Sequence, residues 1–120
     1  MTSKREVGNR YEEKASQFLE KKGHRILEKN VNYKWGEIDL VTFDPQNHEL
    51  VFVEVRHRAE LGMLSPAESV NRAKLRRLRR AIDTFLASSH PALQGLRLSG
   101  ARIDLVSFEG EKVSHWTNFV

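Results

Sequence analysis

Residues 49–57, Glu-Leu-Val-Phe-Val-Glu-Val-Arg-His, constrain the fold more than any other segment of this chain. Successive side chains of a β-strand point to opposite faces of a sheet, and here both faces are apolar over most of the segment. The segment is therefore predicted to be an interior strand of a sheet that is covered on both sides. Glu54 and Arg56 share one face, where an unpaired charge is costly to bury. They form either an ordinary ion pair near the strand end or part of a charged site.

A second strand is predicted over residues 35–43, and a proline-containing turn joins the two strands into a hairpin. Within this strand, Ile38 and Leu40 are predicted to share one face, with Asp39 on the other. The hairpin brings Asp39 and Glu54 onto adjacent strands. Two converging carboxylates form a hard oxygen site of the kind that Mg²⁺ or Mn²⁺ prefers.

The remaining segments extend this hairpin into an α/β domain. Gly23 ends the first helix, and Ser65-Pro66-Ala67-Glu68 has the composition of a helix start. The predicted order is a helix at 7–22, strands at 25–31, 35–43 and 49–57, a loop at 59–64, a helix from 65 to about 87, a loop at 91–99, and strands at 101–108 and 112–116. This order indicates a single domain over residues 1–120, with a mixed sheet flanked by helices.

The second long helix carries most of the clustered positive charge. The chain has 20 Lys and Arg against 16 Asp and Glu, a formal net charge of +4, and no acid lies between Glu68 and Asp83. A helix face with one sign of charge favours contacts with phosphates. Lys74 falls inside the apolar stripe of this helix, where its amine either reaches back to water or points at the acidic site. The residues predicted to contact nucleic acid are Arg58, Arg72, Lys74, Arg76, Arg77 and Arg80.

Composition narrows the remaining function classes. The chain has no cysteine, which excludes disulfides and thiolate zinc sites. Its longest apolar run, residues 50–53, is far shorter than the roughly 20 residues of a membrane span, so no membrane partner is expected. The polar start lacks the apolar centre of a secretory signal, which makes a cytoplasmic location the expectation.

Asp39, followed by Glu54-x-Arg56 after a short hairpin, with Glu12 in the preceding helix, resembles the PD-(D/E)xK nuclease superfamily. More closely, the chain resembles the bacterial YraN family of small proteins, similar in layout to archaeal Holliday-junction resolvases. The resemblance covers essentially the whole chain. The motifs that carry it include Gly8-x-x-x-Glu12-x-x-Ala15, Gly36-Glu37-Ile38-Asp39-Leu40, Phe52-Val53-Glu54-Val55-Arg56-x-Arg58 and Ser65-Pro66-x-Glu68-x-Val70-x-x-x-Lys74.

This resemblance implies a restriction-endonuclease-like αβββαβ core and a site that depends on Mg²⁺ or Mn²⁺. Asp39 and Glu54 would ligate the metal together with the Val55 carbonyl. Glu12, which by its helical position alone fits a surface or a site equally well, would act through a bound water or complete the ligand shell. The superfamily motif ends in lysine, where this chain has Arg56. Arginine stays charged, so Arg56 is expected to orient the scissile phosphate instead of exchanging protons.

Three functions remain open at the level of sequence. The first is a metal-dependent endonuclease acting on DNA, including branched or damaged duplex. The second is a nucleic-acid-binding module that keeps the nuclease fold without catalysis, which Arg56 favours. The third is a protein-interaction domain whose basic helix docks an acidic partner. Junction resolvases of similar layout act as dimers, so a homodimer is implied by analogy.

Overall fold

The computed structural model describes residues 3–120, apart from the side chain of Glu60. Pro91–Leu93 forms a single 3₁₀ turn between the last helix and the fourth strand. The helices and strands are α1 Lys4–Lys21, β1 Arg25–Tyr33, β2 Gly36–Asp44, β3 Glu49–His57, α2 Arg58–Leu61, α3 Arg72–Ala87, β4 Gly100–Glu109 and β5 Lys112–Trp116.

The five strands form one mixed sheet in the order β1-β2-β3-β4-β5. Strands β1, β2 and β3 are antiparallel neighbours, whereas β3 and β4 are parallel. A parallel pair needs a long crossover, which α3 provides between β3 and β4. The predicted α/β class, with its restriction-endonuclease-like αβββαβ order, is therefore confirmed. Strand β3 is an interior strand, as its two apolar faces predict, and residues Leu50 and Val53 are fully buried.

The sheet separates two apolar cores. Helix α1 packs on one face, where Ala15 and Leu19 share a core with Leu40. Helix α3 packs on the other, where Leu78 and Phe85 share a core with residues of β2 that include Ile38. The prediction that Ile38 and Leu40 share a face is wrong. Ile38 lies in the core on the α3 side and Leu40 in the core on the α1 side, so the alternation of side chains is interrupted between them.

Both long helices begin at residues other than those predicted. Helix α1 begins at Lys4, because the Ser3 hydroxyl accepts a hydrogen bond from the Glu6 amide at 3.1 Å. The predicted helix start at Ser65 is wrong. Ser65 and Glu68 do form the reciprocal hydrogen bonds of a capping box, at 3.1 and 3.3 Å, but a turn follows instead of a helix.

Helix α3 begins at Arg72, after a second cap. The Asn71 side chain accepts a hydrogen bond from the Lys74 amide at 2.9 Å and fixes this start. The loop predicted at residues 59–64 is partly helical, since α2 covers Arg58–Leu61. None of the helices within residues 3–120 is long and apolar enough to cross a bilayer.

Candidate metal and nucleic-acid site

An open cleft of about 1070 Å³ lies at the end of the sheet where β2 and β3 part. Pairing of these strands stops at Leu40 and Val53, so the residues beyond border a gap. The first half of α1 and the beginning of α3 form the other sides of the cleft. The cleft is lined by seven residues predicted to act in the site, namely Glu12, Asp39, Glu54, Val55, Arg56, Lys74 and Arg77.

The Asp39 carboxylate replaces the missing strand pairing at this gap. It is 8% exposed, and its Oδ2 atom accepts a hydrogen bond from the Val55 amide at 2.8 Å. The amide and carbonyl of one strand residue point to the same side of the strand. The Val55 carbonyl therefore faces the gap that contains the Asp39 carboxylate.

Several negative charges act on Asp39. Burial raises the pKa of its carboxyl group well above the ordinary value, and the charge of Glu54 raises it further. The hydrogen bond from Val55 lowers this pKa, while Glu12 and Glu37 raise it. Acidic groups from α1, β2 and β3 thus disfavour ionisation of one buried carboxyl group. A cation placed among them would reverse that effect.

The oxygen donors at the gap fit a hard divalent cation. Carboxylates of Asp39 and Glu54, with the Val55 carbonyl, are the ligand types that Mg²⁺ and Mn²⁺ prefer. Within residues 3–120, no group of three or more His, Cys, Asp or Glu side chains is arranged to hold a metal ion. A metal here would therefore take one or two carboxylates from the protein and its remaining ligands from water or phosphate, as Mg²⁺ commonly does.

Arg56 is held at the base of the cleft by the turn that precedes α3. The residue is 6% exposed, and its Nε atom donates a hydrogen bond to the Ser69 hydroxyl at 3.2 Å. Its Nη1 atom lies 3.7 Å from Glu54 Oε1. The Ser69 hydroxyl in turn donates to the Pro66 carbonyl at 2.6 Å. The segment predicted as a helix start is thus a turn that positions a guanidinium beside Glu54.

The predicted basic residues divide into two groups. Lys74 is half-buried and lines the cleft, and Arg77 lines it from the next turn of α3. Both cations therefore add positive charge to the walls of the cleft that the acids also line. The cations that do not line the cleft are exposed on α2 and α3, and these are Arg58, Arg72, Arg76 and Arg80.

The cleft also has aromatic walls that the sequence did not predict. Tyr33 and Trp35 stack with ring centroids 6.0 Å apart and planes 10° from parallel, and the Arg80 guanidinium carbon lies 4.7 Å from the Trp35 centroid. Across the cleft, Tyr11 stacks on His57 at 4.5 Å and 8°. A signal was present in the sequence, because Trp35 occupies the hairpin turn, where small and polar residues are usual, and Tyr33 ends the strand before it.

A second charged cluster lies at the opposite end of the sheet, around Arg102. This guanidinium donates to Asp104 at 3.0 and 3.2 Å, to Asp44 at 3.0 Å and to Glu49 at 2.9 Å. His115 Nε2 lies 2.8 Å from Asp104 Oδ2. Burial alone would raise the pKa of Asp104, but hydrogen bonds from His115 and Arg102 hold it below its ordinary value. These acids are internally compensated, whereas burial and neighbouring acids raise the pKa of Asp39 in the cleft.

A mixed sheet between two long helices, with carboxylates at the point where two central strands part, defines a small restriction-endonuclease-like α/β protein. The sequence model of Uncharacterised protein family UPF0102 matches residues 11–108, and the chain belongs to this family. This membership confirms the predicted YraN-type resemblance.

Bacterial relatives of the same family align over most of the chain. A UPF0102 protein of Carboxydothermus hydrogenoformans is 36% identical over 120 residues, which cover 97% of this chain and 96% of the relative. One from Marinobacter nauticus is 45% identical over 82 residues, which cover 68% of this chain and 65% of the relative. A third, from Vibrio campbellii, is 44% identical over 85 residues, which cover 71% and 68%. None of these names states an activity.

Proposed function

We propose that this protein is a metal-dependent endonuclease that binds DNA, including branched or damaged duplex, in the cleft. The observation that carries the proposal is the Asp39 carboxylate, fixed by the Val55 amide at 2.8 Å in a gap that Glu54 also borders. Asp39, Glu54 and the Val55 carbonyl would hold Mg²⁺ or Mn²⁺. The cation, when bound, lowers the pKa of a coordinated water and neutralises charge on the phosphate.

The residues around this group would position the nucleic acid. Lys74 and Arg77 line the same cleft as the acids and would bind phosphates that flank the scissile bond. The exposed arginines of α3 extend the positive surface outside the cleft and would contact the backbone farther away. The Arg56 guanidinium is planar and charged, and Ser69 holds it in place. It would therefore orient a phosphate but would not act as a general base.

Hydrolysis of labelled branched and linear DNA, with Mg²⁺ or Mn²⁺ added, tests the proposal. We expect Asp39→Asn and Glu54→Gln each to slow cleavage by on the order of 100-fold, as when one electrostatic contact to a transition state is lost. Purified variants that both cleave as fast as the wild type would show that the site assignment is wrong. Density for Mn²⁺ beside Asp39 in soaked crystals would test the ligands directly.

Helix α1 offers a matched pair of variants for the third acid. Glu12 lines the cleft, whereas its neighbour Glu13 is exposed and pairs with Lys29 at 2.7 Å. Glu12→Gln should reduce cleavage and Glu13→Gln should leave it unchanged. Equal effects of the two substitutions would place Glu12 outside the site.

The second candidate function is a DNA-binding module without catalysis. Arg56 favours it, because a guanidinium that Ser69 holds in a hydrogen bond stands where the superfamily motif has lysine. This function predicts salt-sensitive binding that Arg76→Glu and Arg80→Glu weaken, with no product under any metal condition. Binding that both reversals leave intact would count against either function. The homodimer and the cytoplasmic location stay predictions, and sedimentation would test the first.

A further inference from the structure

The tip of the β1–β2 hairpin is fixed against α3 at the rim of the cleft. Gly36 allows this contact, because a Cβ atom at this position would lie 2.5 Å from the Arg77 carbonyl oxygen. The tip carries Tyr33 and Trp35, which are half-buried and line the cleft. The two rings are therefore held in place by backbone packing and do not depend on a flexible loop.

The position of Trp35 exposes part of its ring but leaves its N–H group without a hydrogen bond within the part of the chain that the structure describes. Its Nε1 atom is buried and has no hydrogen-bond partner among the described residues, which carries a free-energy cost. A buried tryptophan usually satisfies this group. Since Nε1 is buried and the residue is only half-buried, the accessible part of the indole is its ring away from that edge. The arrangement thus presents aromatic surface to the cleft.

We propose that Tyr33, Trp35 and Arg80 form a stacking subsite for an unpaired nucleobase. The inference rests on the proposed function and specifies its substrate class, a nucleic acid with a single-stranded or unpaired stretch beside the scissile phosphate. Bases inside a continuous duplex have both faces covered by their neighbours, so an unpaired base is the one that can stack on a protein ring. A positively charged groove with aromatic side chains is typical of binding to single strands.

Charge near the aromatic rings supports this substrate class. The Arg80 guanidinium carbon lies 4.7 Å from the Trp35 centroid, within cation–π distance of the ring, and adds a positive charge at the hairpin tip. Arginine planes stack on bases as well as on indole. Lys34, exposed between the two aromatic residues, and Arg77 would bind the phosphates on either side of a stacked base. The alternative is that the rings only pack the hairpin onto α3.

The chain contains two tryptophans, which makes the test direct. Trp116→Phe leaves Trp35 as the single indole, and Trp35→Phe leaves Trp116, which is 38% exposed on β5, as a matched control. Each variant is titrated with a single-stranded oligodeoxynucleotide and with a blunt duplex of the same sequence, in Ca²⁺ to limit cleavage. We expect the single strand to quench Trp35 emission, the duplex to quench it far less, and Trp116 emission to stay unchanged.

Affinity gives a second measurement, by fluorescence anisotropy of the labelled oligonucleotides. Trp35→Ala should weaken single-strand binding by about 5- to 150-fold, which corresponds to a stacking free energy of about 1–3 kcal/mol. Trp35→Phe retains a ring and should recover most of that loss. Phenylalanine has a ring but no N–H group, so recovery of binding in Trp35→Phe would show that the ring, and not the indole N–H, binds the single strand.

The outcomes separate this inference from the proposed function. Oligonucleotides that bind while Trp35 emission stays unchanged would overturn the stacking subsite and leave DNA binding in place. Equal quenching of Trp35 by duplex and single strand would overturn the preference for unpaired bases. If neither nucleic acid bound, both the subsite and the function on which it rests would be overturned.

Discussion

At the scale of single residues, Arg56 shows what an arginine changes in this motif. A lysine ammonium is a point charge, whereas the planar guanidinium spans two partners, Ser69 Oγ at 3.2 Å and Glu54 Oε1 at 3.7 Å. Arg56 therefore links β3 to the turn before α3. The sequence predicts that the positive charge of Arg56 lies next to Glu54. It does not predict that Arg56 is held by Ser69, which lies in a separate turn.

Substitution of Ser69 tests this link. Ser69→Ala removes the acceptor of the buried Arg56 Nε atom and the donor to the Pro66 carbonyl, so we expect a loss of about 1–3 kcal/mol in the free energy of unfolding. Ser69→Thr keeps the hydroxyl and should retain most of this stability. Urea unfolding measures both. The matched control is Ser88→Ala, since Ser88 is exposed and its hydroxyl donates to the Phe85 carbonyl at the C-terminal end of α3.

We expect a change of roughly 0.5 kcal/mol or less for the control. Equal losses for Ser69→Ala and Ser88→Ala would contradict a role for Ser69 in holding Arg56. If cleavage is measured on the same variants, Ser69→Ala should lower its rate without changing which residues bind the metal. Ser69→Thr should restore that rate.

At the scale of helices and strands, sequence patterns predicted the elements whose bounds are determined by residues close together in the chain. The strand at Glu49–His57 and the turn after Asp44 have the predicted bounds, because apolar alternation and turn residues determine them. The start of α3 was not predictable from Ser65, since a capping box can close a turn as well as a helix. The aromatic wall was missed because it depends on contact between the hairpin tip and α3, far apart in sequence.

That contact can be tested at Gly36. Gly36→Ala places a methyl group 2.5 Å from the Arg77 carbonyl oxygen, and neither backbone can yield without moving the hairpin tip or α3. We expect a loss of about 1–3 kcal/mol in the free energy of unfolding, the usual effect of overpacking. Gly8→Ala is the matched control, because a Cβ atom there meets nothing within 4 Å and the residue lies inside α1.

Gly8→Ala should gain roughly 0.5–1 kcal/mol, since alanine favours the helix. Urea unfolding of the two variants should therefore give opposite signs. A Gly36→Ala protein as stable as the wild type would show that the hairpin tip is not fixed on α3. That result would also count against the stacking subsite proposed at Trp35.

At the scale of the whole molecule, the two ends of the sheet differ in how their charges are compensated. Around Arg102, three carboxylates converge on one guanidinium, which also raises the pKa of that guanidinium. At the cleft, burial and neighbouring acids raise the pKa of Asp39. Paired charges stabilise a fold, whereas an acidic group kept in an unfavourable environment is typical of a functional site.

This difference predicts how stability changes with pH. Burial lowers the pKa of His24 and outweighs the opposing effect of Asp44, so the folded state favours neutral histidine. Histidine in the unfolded chain has a pKa of about 6.5, and stability should fall as the pH drops below that value. The pKa values of Asp44 and Asp104 are lowered, so their contribution is present above about 4 and is lost as the pH falls through their folded-state values.

Urea unfolding at a series of pH values, on His24→Gln and the wild type, isolates the first of these effects. The variant cannot gain a proton at position 24, so its stability should change less between about pH 7 and pH 5 than that of the wild type. Asp39 contributes with the opposite sign but equally in both proteins, and the difference between their profiles cancels it. His48→Asn, at an exposed position, should keep the wild-type profile. If the His24→Gln and wild-type profiles coincide, burial of His24 does not govern the response of stability to pH in this range.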